Sequence, residues 1–134
     1  PQAGSIFITE RARFSAVFQD DRLLPFASII DNCTLIGASE ESALKNLEAL
    51  GIADYARSLP KELSGGMCRR AALARALSAE YDVLILDEPF TGLDSANIAA
   101  ATAYVSEQLS DRTLIMVTHS PSEAEMLNAK TIRI

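Results

Sequence analysis

A chain of 134 residues holds one domain with a modest core and is too short for two. Its composition, 49% hydrophobic and 22% charged, is that of a globular rather than a disordered polypeptide. A net charge of −6 with no basic run argues against a general affinity for nucleic acid or anionic lipid, and the longest apolar runs are strand-sized rather than membrane-spanning.

The first residues, SIFIT (5–9) and RFSAVF (13–18), read as short strands at the margin of a sheet. QDDRLLPFAS (19–28) follows, with Pro25 interrupting any helix, and a short helix is expected from Ala27 to Ile36. A longer helix is predicted from Glu40 to Leu50. Ser39 caps it, acids fill its first turn, Gly51 follows its end, and Leu44, Leu47 and Leu50 form the stripe it buries. Cys33 and Cys68 match neither a disulfide framework nor a zinc pattern, so buried, reduced thiols and an intracellular setting are the expectation.

GMCRRAALARALSA (66–79) is strongly helical, with Ala and Leu on one side and three arginines on others. DVLILDEP (82–89) is a continuous apolar run that suits a strand covered on both faces, hence a parallel sheet with helices packed around it. Ser95 to Leu109 is a third long helix, and TLIMVTH (113–119) a second buried strand. In SPSEAEML (120–127), Ser120 is a natural cap, Pro121 suits the first helical position and Glu123 completes a capping box. TIRI (131–134) is a candidate final strand. The alternation in the second half means α/β, and the stretch 22–80 reads as a mainly helical subdomain.

Chemistry is expected at the carboxyl ends of the buried strands, where parallel sheets gather ligands. Asp87 and Glu88 stand at one such end and His119 at the other. Two carboxylates and an imidazole there can hold a hydrated metal, position a water and take its proton. Separately, a helix starting near Gly66 offers unpaired N–H groups and a positive dipole end. Its glycines admit an anion closely, and the Ser64 hydroxyl adds a hydrogen bond. Taken alone, the acids also fit a solvated strand terminus, and Ser-Gly-Gly an ordinary turn and N-cap.

Together these features say more. LSGGM (63–67), VLILDE (83–88), TGLD (91–94) and VTHS (117–120), preceded by VFQDD (17–21), resemble in order and spacing the ATP-binding subunit of ABC transporters. On that resemblance they are the signature motif, Walker B strand, D-loop, His switch and Q-loop. PQAGSI (1–6) resembles the family's P-x-x-G-x-I segment, and QDDRLLPFASIIDN resembles bacterial importers of the nitrate, sulfonate and thiamine type.

The resemblance implies an incomplete P-loop NTPase core with a mainly parallel sheet (1–21 and 81–134) plus an ABC-type helical subdomain (22–80). ATP and Mg2+ are the implied cofactors. Asp87 would hold the metal through its water shell, Glu88 would act as general base, and His119 would contact the γ-phosphate. Gln19 would sense metal and water, Asp94 would organise the dimer contact, and Ser64, Gly65 and Gly66 would grip a phosphate held by the opposite subunit. The implied partners are a second ATPase subunit, transmembrane permease subunits facing the loop after Gln19 and, indirectly, a periplasmic or surface binding protein. No nucleic acid is implied. The implied location is peripheral, on the cytoplasmic side of the membrane.

One part of the pattern is missing. None of the three lysines, Lys45, Lys61 and Lys130, follows a glycine, so no G-x-x-x-x-G-K-S/T phosphate loop is present. The family places that loop further upstream of the Q-loop than these residues reach. The expectation is a piece of a longer subunit that does not bind ATP appreciably by itself. With a sheet strand missing, a non-native oligomer is also expected. Met67 and the pair Cys68-Arg69 depart from the usual residues flanking the signature glycines.

A phospho-receiver with Asp87 as acceptor is the rival from another class, but it leaves LSGG and TGLD unexplained and puts Asp20 and Asp21 too far ahead of Asp87. A soluble, non-transport ABC ATPase is a second alternative. Gln19 and Ser64 are too close together for the coiled-coil insertion of the repair-type members. A catalytically dead interaction module is the third.

Overall fold

The computed structural model describes residues 7–8 and 10–132. Strand β1 (Phe14–Val17) is followed by helices α1 (Ile29–Thr34) and α2 (Glu40–Ala49), 3-10 turns at Ala53–Tyr55 and Pro60–Glu62, and helix α3 (Gly65–Ser78). Strand β2 (Val83–Asp87), helix α4 (Ser95–Leu109), strand β3 (Thr113–Val117) and helix α5 (Pro121–Met126) complete the order.

The three strands form one sheet in the order β1-β2-β3 with both pairings parallel. Phe14 lies opposite Val83, and Val83 opposite Thr113. Parallel neighbours need crossover connections. Residues 18–82 supply the first, and the segment containing α4 supplies the second. Register is pinned at the strand starts by Arg13, whose N–H donates to Asp82 Oδ2 at 2.8 Å and whose Nε donates to the same oxygen at 3.2 Å. These hydrogen bonds hold the Asp82 carboxyl below the usual carboxylate range.

Four helices begin where a short polar side chain can take an unpaired first-turn N–H. Ser28 accepts from Asp31, Ser39 from Ser42, Ser64 from Met67, and Asp94 from Asn97. Behind these caps the apolar faces meet in a single cluster. Val17, Leu84 and Leu86 of the sheet join Ile29, Ile30, Leu47, Leu73 and Val105 of the helices, all with 1% exposure or less. Each such side chain contributes roughly 1.5–3 kcal/mol by leaving water. Polar groups that enter the core find partners there, among them Ser15 and Asn46. Ser15 donates to Ala76 O at 2.7 Å, and Asn46 bridges three helices. The Asn46 amide donates to Ser78 Oγ at 2.7 Å, while its Oδ1 accepts from the Tyr104 hydroxyl at 2.6 Å.

Several expectations need correction. β2 alternates between buried and half-buried residues instead of being covered on both faces, because the described helices pack against only the Leu84 and Leu86 side. Among the described residues β3 is an open edge rather than a buried strand, with Ile115 and Val117 about half exposed. The stripe of α2 starts at Ala43 and runs through Leu47 to Leu50, which leaves Leu44 at the surface and gives the remaining inward position to Asn46. Ser120 makes no capping bond at α5. Thr118 does the work there, its hydroxyl accepting from Ser120 N at 3.0 Å and donating to Glu123 Oε2 at 2.6 Å. Arg69, one of the three arginines set off the Ala and Leu side of α3, is itself buried.

The expected strand at 5–9 falls largely outside the described residues, and Phe7 and Ile8 within it carry no strand. Thr131 and Ile132 of the expected final strand carry none either, and residues 133–134 lie outside the description, as does the 1–6 segment. Cys33 is buried, with its thiol pushed up to about 11 by desolvation. Cys68 is only partly buried and donates to Pro60 O at 3.4 Å. Among the described residues no helix is long and apolar enough to cross a membrane.

The Asn46 bridge yields a direct test. Tyr104→Phe leaves Asn46 Oδ1 buried without its donor, so unfolding by urea should show a loss of about 1–2 kcal/mol. An unchanged midpoint would remove the bridge from the account of stability.

Candidate functional site

Because all three strands run the same way in register, their carboxyl ends share one edge. Gln19 lies just past β1, Asp87 and Glu88 at and past the end of β2, and His119 just past β3. The sheet therefore brings together the residues that the sequence places at strand ends. Glu88 extends the ladder by one bond, its N–H donating to Val117 O at 2.9 Å. Its backbone then turns at φ +48°, a left-handed conformation uncommon outside glycine. The turn aims its carboxylate at the neighbouring strand end. Oε1 accepts from His119 N at 3.0 Å and lies 3.5 Å from His119 Nε2. The carboxylate is mostly buried, at 19% exposure, while the imidazole is 96% exposed. A shielded carboxylate beside a mobile-length, solvent-facing imidazole can orient a water and reach a ligand arriving from outside.

The second part of the site is the N-terminus of α3. Ser64 is its cap, its hydroxyl accepting from Met67 N at 3.3 Å. Ser64 and Gly65 are exposed, and a side chain built at Gly65 would meet nothing within 4 Å. A long helix thus presents its positive end to solvent with room for an anion. Gly66 faces inward. A Cβ there would come to 3.2 Å from Gly92 O and 3.3 Å from Leu93 Cδ2, a tight fit in which the neighbouring loop would have to give by a few tenths of an ångström. Gly92 itself sits at φ +80°. That contact locks the start of α3 to the loop 88–94, which ends at Asp94, the exposed cap of α4.

Asp94 accepts from Asn97 N at 2.9 Å and from Asn97 Nδ2 at 2.7 Å. These bonds, the backbone one foremost, hold its carboxyl below the usual carboxylate range. Gln19 is exposed, and its carbonyl rather than its amide is the group that is gripped, by Arg69 Nη2. Among the described residues no hydrogen bond joins Gln19 to Asp87 or Glu88. Sequence reasoning also missed the arginines of α3 as structural groups. The available signal was their place inside an Ala- and Leu-rich helix, where a long side chain crosses apolar surface to reach a polar partner.

Among the described residues no cluster of three His, Cys, Asp or Glu side chains could hold a metal. A Mg2+ ion needs no such cluster, since it keeps several waters and takes one or two carboxylates plus substrate phosphates. Asp87, half-buried at the strand end beside Glu88, fits that limited role.

Residues 2–91 match the ABC transporter family. The aliphatic sulfonates import ATP-binding protein SsuB 1 of Rhodococcus jostii is 41% identical over 119 residues, covering 87% of this chain and 49% of that protein. SsuB of Pseudomonas fluorescens is 41% identical over 142 residues, covering 98% of this chain and 51% of its own. The chain thus spans about half the length of the curated relatives it matches. A dimeric ATP-binding cassette in a post-hydrolysis state, bound to ADP and Pi, superposes with a TM-score of 0.78 at 28% identity over 87% of this chain and 56% of that one. The fold is therefore that of ABC ATPase cassettes. Matched over two-thirds of its length and sharing that fold, the chain belongs to the ABC transporter family.

Proposed function

We propose that this chain forms part of the ATP-binding and hydrolysing subunit of an ABC importer, peripheral to the cytoplasmic side of the membrane. The observation that carries this reading is the Glu88–His119 contact at the shared strand edge, within a chain of this family. Each strand-end residue then has a role that its position supports. Glu88, shielded and aimed by its backbone turn, takes the proton of the attacking water. His119, fully exposed, reaches the γ-phosphate. Asp87 would hold Mg2+. Bound there, the ion would neutralise charge on the phosphate oxygens. Gln19 lies at the same edge as a metal and water sensor.

Ser64, Gly65 and Gly66 form the phosphate grip, and it faces outward from this chain. The proposed partner at that surface is a second ATPase subunit, whose nucleotide the α3 N-terminus would cap, with Asp94 organising the contact. Phosphoryl transfer to water depends mainly on positioning and charge stabilisation, so a helix end arriving from a partner can complete the site. Permease subunits are the proposed partners at the loop after Gln19. Phe26 is 95% exposed there, and Asn32 ties that loop down by accepting from Leu24 N at 2.7 Å. A binding protein would act only indirectly, and no nucleic acid is involved. The division into a core (1–21 and 81–134) and a helical subdomain (22–80) belongs to this proposal, although one apolar cluster spans both parts. Aliphatic sulfonates, the cargo named in the relatives, are the cargo class to test first. The family match leaves the receiver reading without support.

Calorimetry with Mg-ATP should show no saturable binding to the 134-residue chain and clear binding to a longer protein that restores a phosphate loop. Binding by the short chain would mean the nucleotide site is misplaced. In the longer protein, Glu88→Gln should lower ATP turnover by about 10²–10⁴-fold while ATP still binds and holds a dimer together. Unchanged turnover would take the general-base role from Glu88. The open edge of β3 and its half-exposed Ile115 and Val117 should make the short chain self-associate by strand pairing. A monodisperse monomer in sedimentation at micromolar concentration would contradict that.

A further inference from the structure

The loop that leaves β1 has no strand or helix of its own from Phe18 to Arg22, and Phe18, Gln19 and Asp20 are exposed. Its backbone is nevertheless bound at four carbonyls, all of them from α3. Arg69 donates through Nη1 to Phe18 O at 2.6 Å and through Nη2 to Gln19 O. Arg75 donates through Nη2 to Asp21 O at 2.8 Å and through Nη1 to Arg22 O at 2.7 Å. The Asp21 carboxylate returns the charge, with Oδ1 3.2 Å from Arg69 Nη1. That oxygen is buried and takes the charge without a hydrogen bond of its own. The loop closes on itself as Arg22, at φ +47°, lays its guanidinium 4.1 Å from the centre of the Phe18 ring.

We propose that Arg69 and Arg75 are positioning residues that lock loop 18–22 to α3, so that the loop and the Ser64 end of the helix shift as one unit. Several features require the pair. Arg69 is 7% exposed, so its charge is kept in the interior only by the carbonyls and by Asp21. A guanidinium presents a planar fork that can bind two carbonyls at once, whereas a lysine ammonium is a point charge that satisfies them less well. The geometry also has a direction. Arg69 stands one helical turn inside the N-terminus formed by Ser64, Gly65 and Gly66, and Gly66 abuts the loop carrying Gly92 and Leu93. A displacement of loop 18–22 is therefore passed through a buried side chain to the helix end and onward to the segment before Asp94. The use of this lock in ATP turnover rests on the proposed function, while the lock itself does not.

Two measurements separate the two statements. Hydrogen exchange on this chain compares the wild type with Arg69→Met, Arg69→Lys and Arg75→Lys. Arg69→Met should speed exchange in residues 18–24 and at the start of α3 together by about tenfold, with β2 unchanged and Arg69→Lys intermediate. If Arg69→Met does not fold, the two lysine variants carry the same comparison. Loop exchange that stays unchanged, or that rises without the helix end, overturns the lock, as does an equal rise in β2. In the longer protein, Arg69→Met should lower kcat for ATP by about tenfold with KM within about twofold, and Arg69→Lys should recover part of it. Unchanged kcat with a freed loop overturns the positioning role. A wild type that does not hydrolyse ATP overturns the proposed function instead, and the exchange data then decide the lock alone.

Discussion

The parallel register of β2 between β1 and β3 is the constraint on which the site depends. Parallel neighbours must all end on the same side, so residues far apart in sequence arrive at one edge without any direct attraction between them. Asp87 lies opposite Val117, which puts Glu88 beside Thr118 and His119. The bond from Glu88 N to Val117 O then fixes how far the chain travels before it turns. A slip of one residue in the β2–β3 pairing would send Leu84 and Leu86 to the open face and separate Glu88 from His119. The same pleat that buries the core therefore sets the candidate chemistry.

The helix end is held by a different force. A positive dipole end exposed to solvent gains little by itself, and its stability comes from packing farther along α3, where Ala71 to Ala74 are completely buried. Alanines let the helix lie close to its neighbours, and glycine at position 66 lets the loop before Asp94 approach within van der Waals distance. The apolar segment thus anchors the helix, and its polar first turn stays free for a ligand. Two arginines that cross this packed region convert the anchor into a connection with loop 18–22.

Much of this was legible from local chemistry. Ser39, Ser64 and Asp94 all cap helices because a short side chain next to an apolar-periodic run has few other uses for its oxygen. The end of β2 at Asp87 was legible because an apolar run stops where charge begins, while β3 ends at Val117, two residues before His119. What failed depended on elements elsewhere in the fold. Periodicity could not show which face of β2 is covered, since an apolar residue such as Ile85 looks the same whether or not a helix lies over it. It found Leu47 and Leu50 but put Leu44 where Ala43 lies, because it counted leucines and gave no weight to Ala43 and Asn46, the second of which bonds Ser78 and Tyr104 inside the core. The burial of Arg69 is hidden from the sequence for the same reason. Its partners are backbone carbonyls some fifty residues away, which leave no trace in composition.

Glu88 shows how the fold and the proposed chemistry meet. A non-glycine residue at φ +48° carries strain of order 1–3 kcal/mol, and such a residue persists only where its surroundings leave no alternative. Here the surroundings are the ladder bond on one side, the Thr91 N–H donating to Glu88 O on the other, and buried Pro89 and Phe90 immediately after. Relaxing the turn would break the bond to β3 or expose Phe90. The backbone turn directs the side chain toward the end of β3, where the His119 N–H holds Oε1 at 3.0 Å. His119 has the opposite design, tethered through its backbone N–H with a solvent-exposed ring. On the proposed reading, the fixed partner prepares the nucleophile and the exposed one closes over the phosphate. On that reading the grip from Ser64 would serve a nucleotide held by another subunit, and the strand-end residues and the helix end would complete one site only when two chains meet.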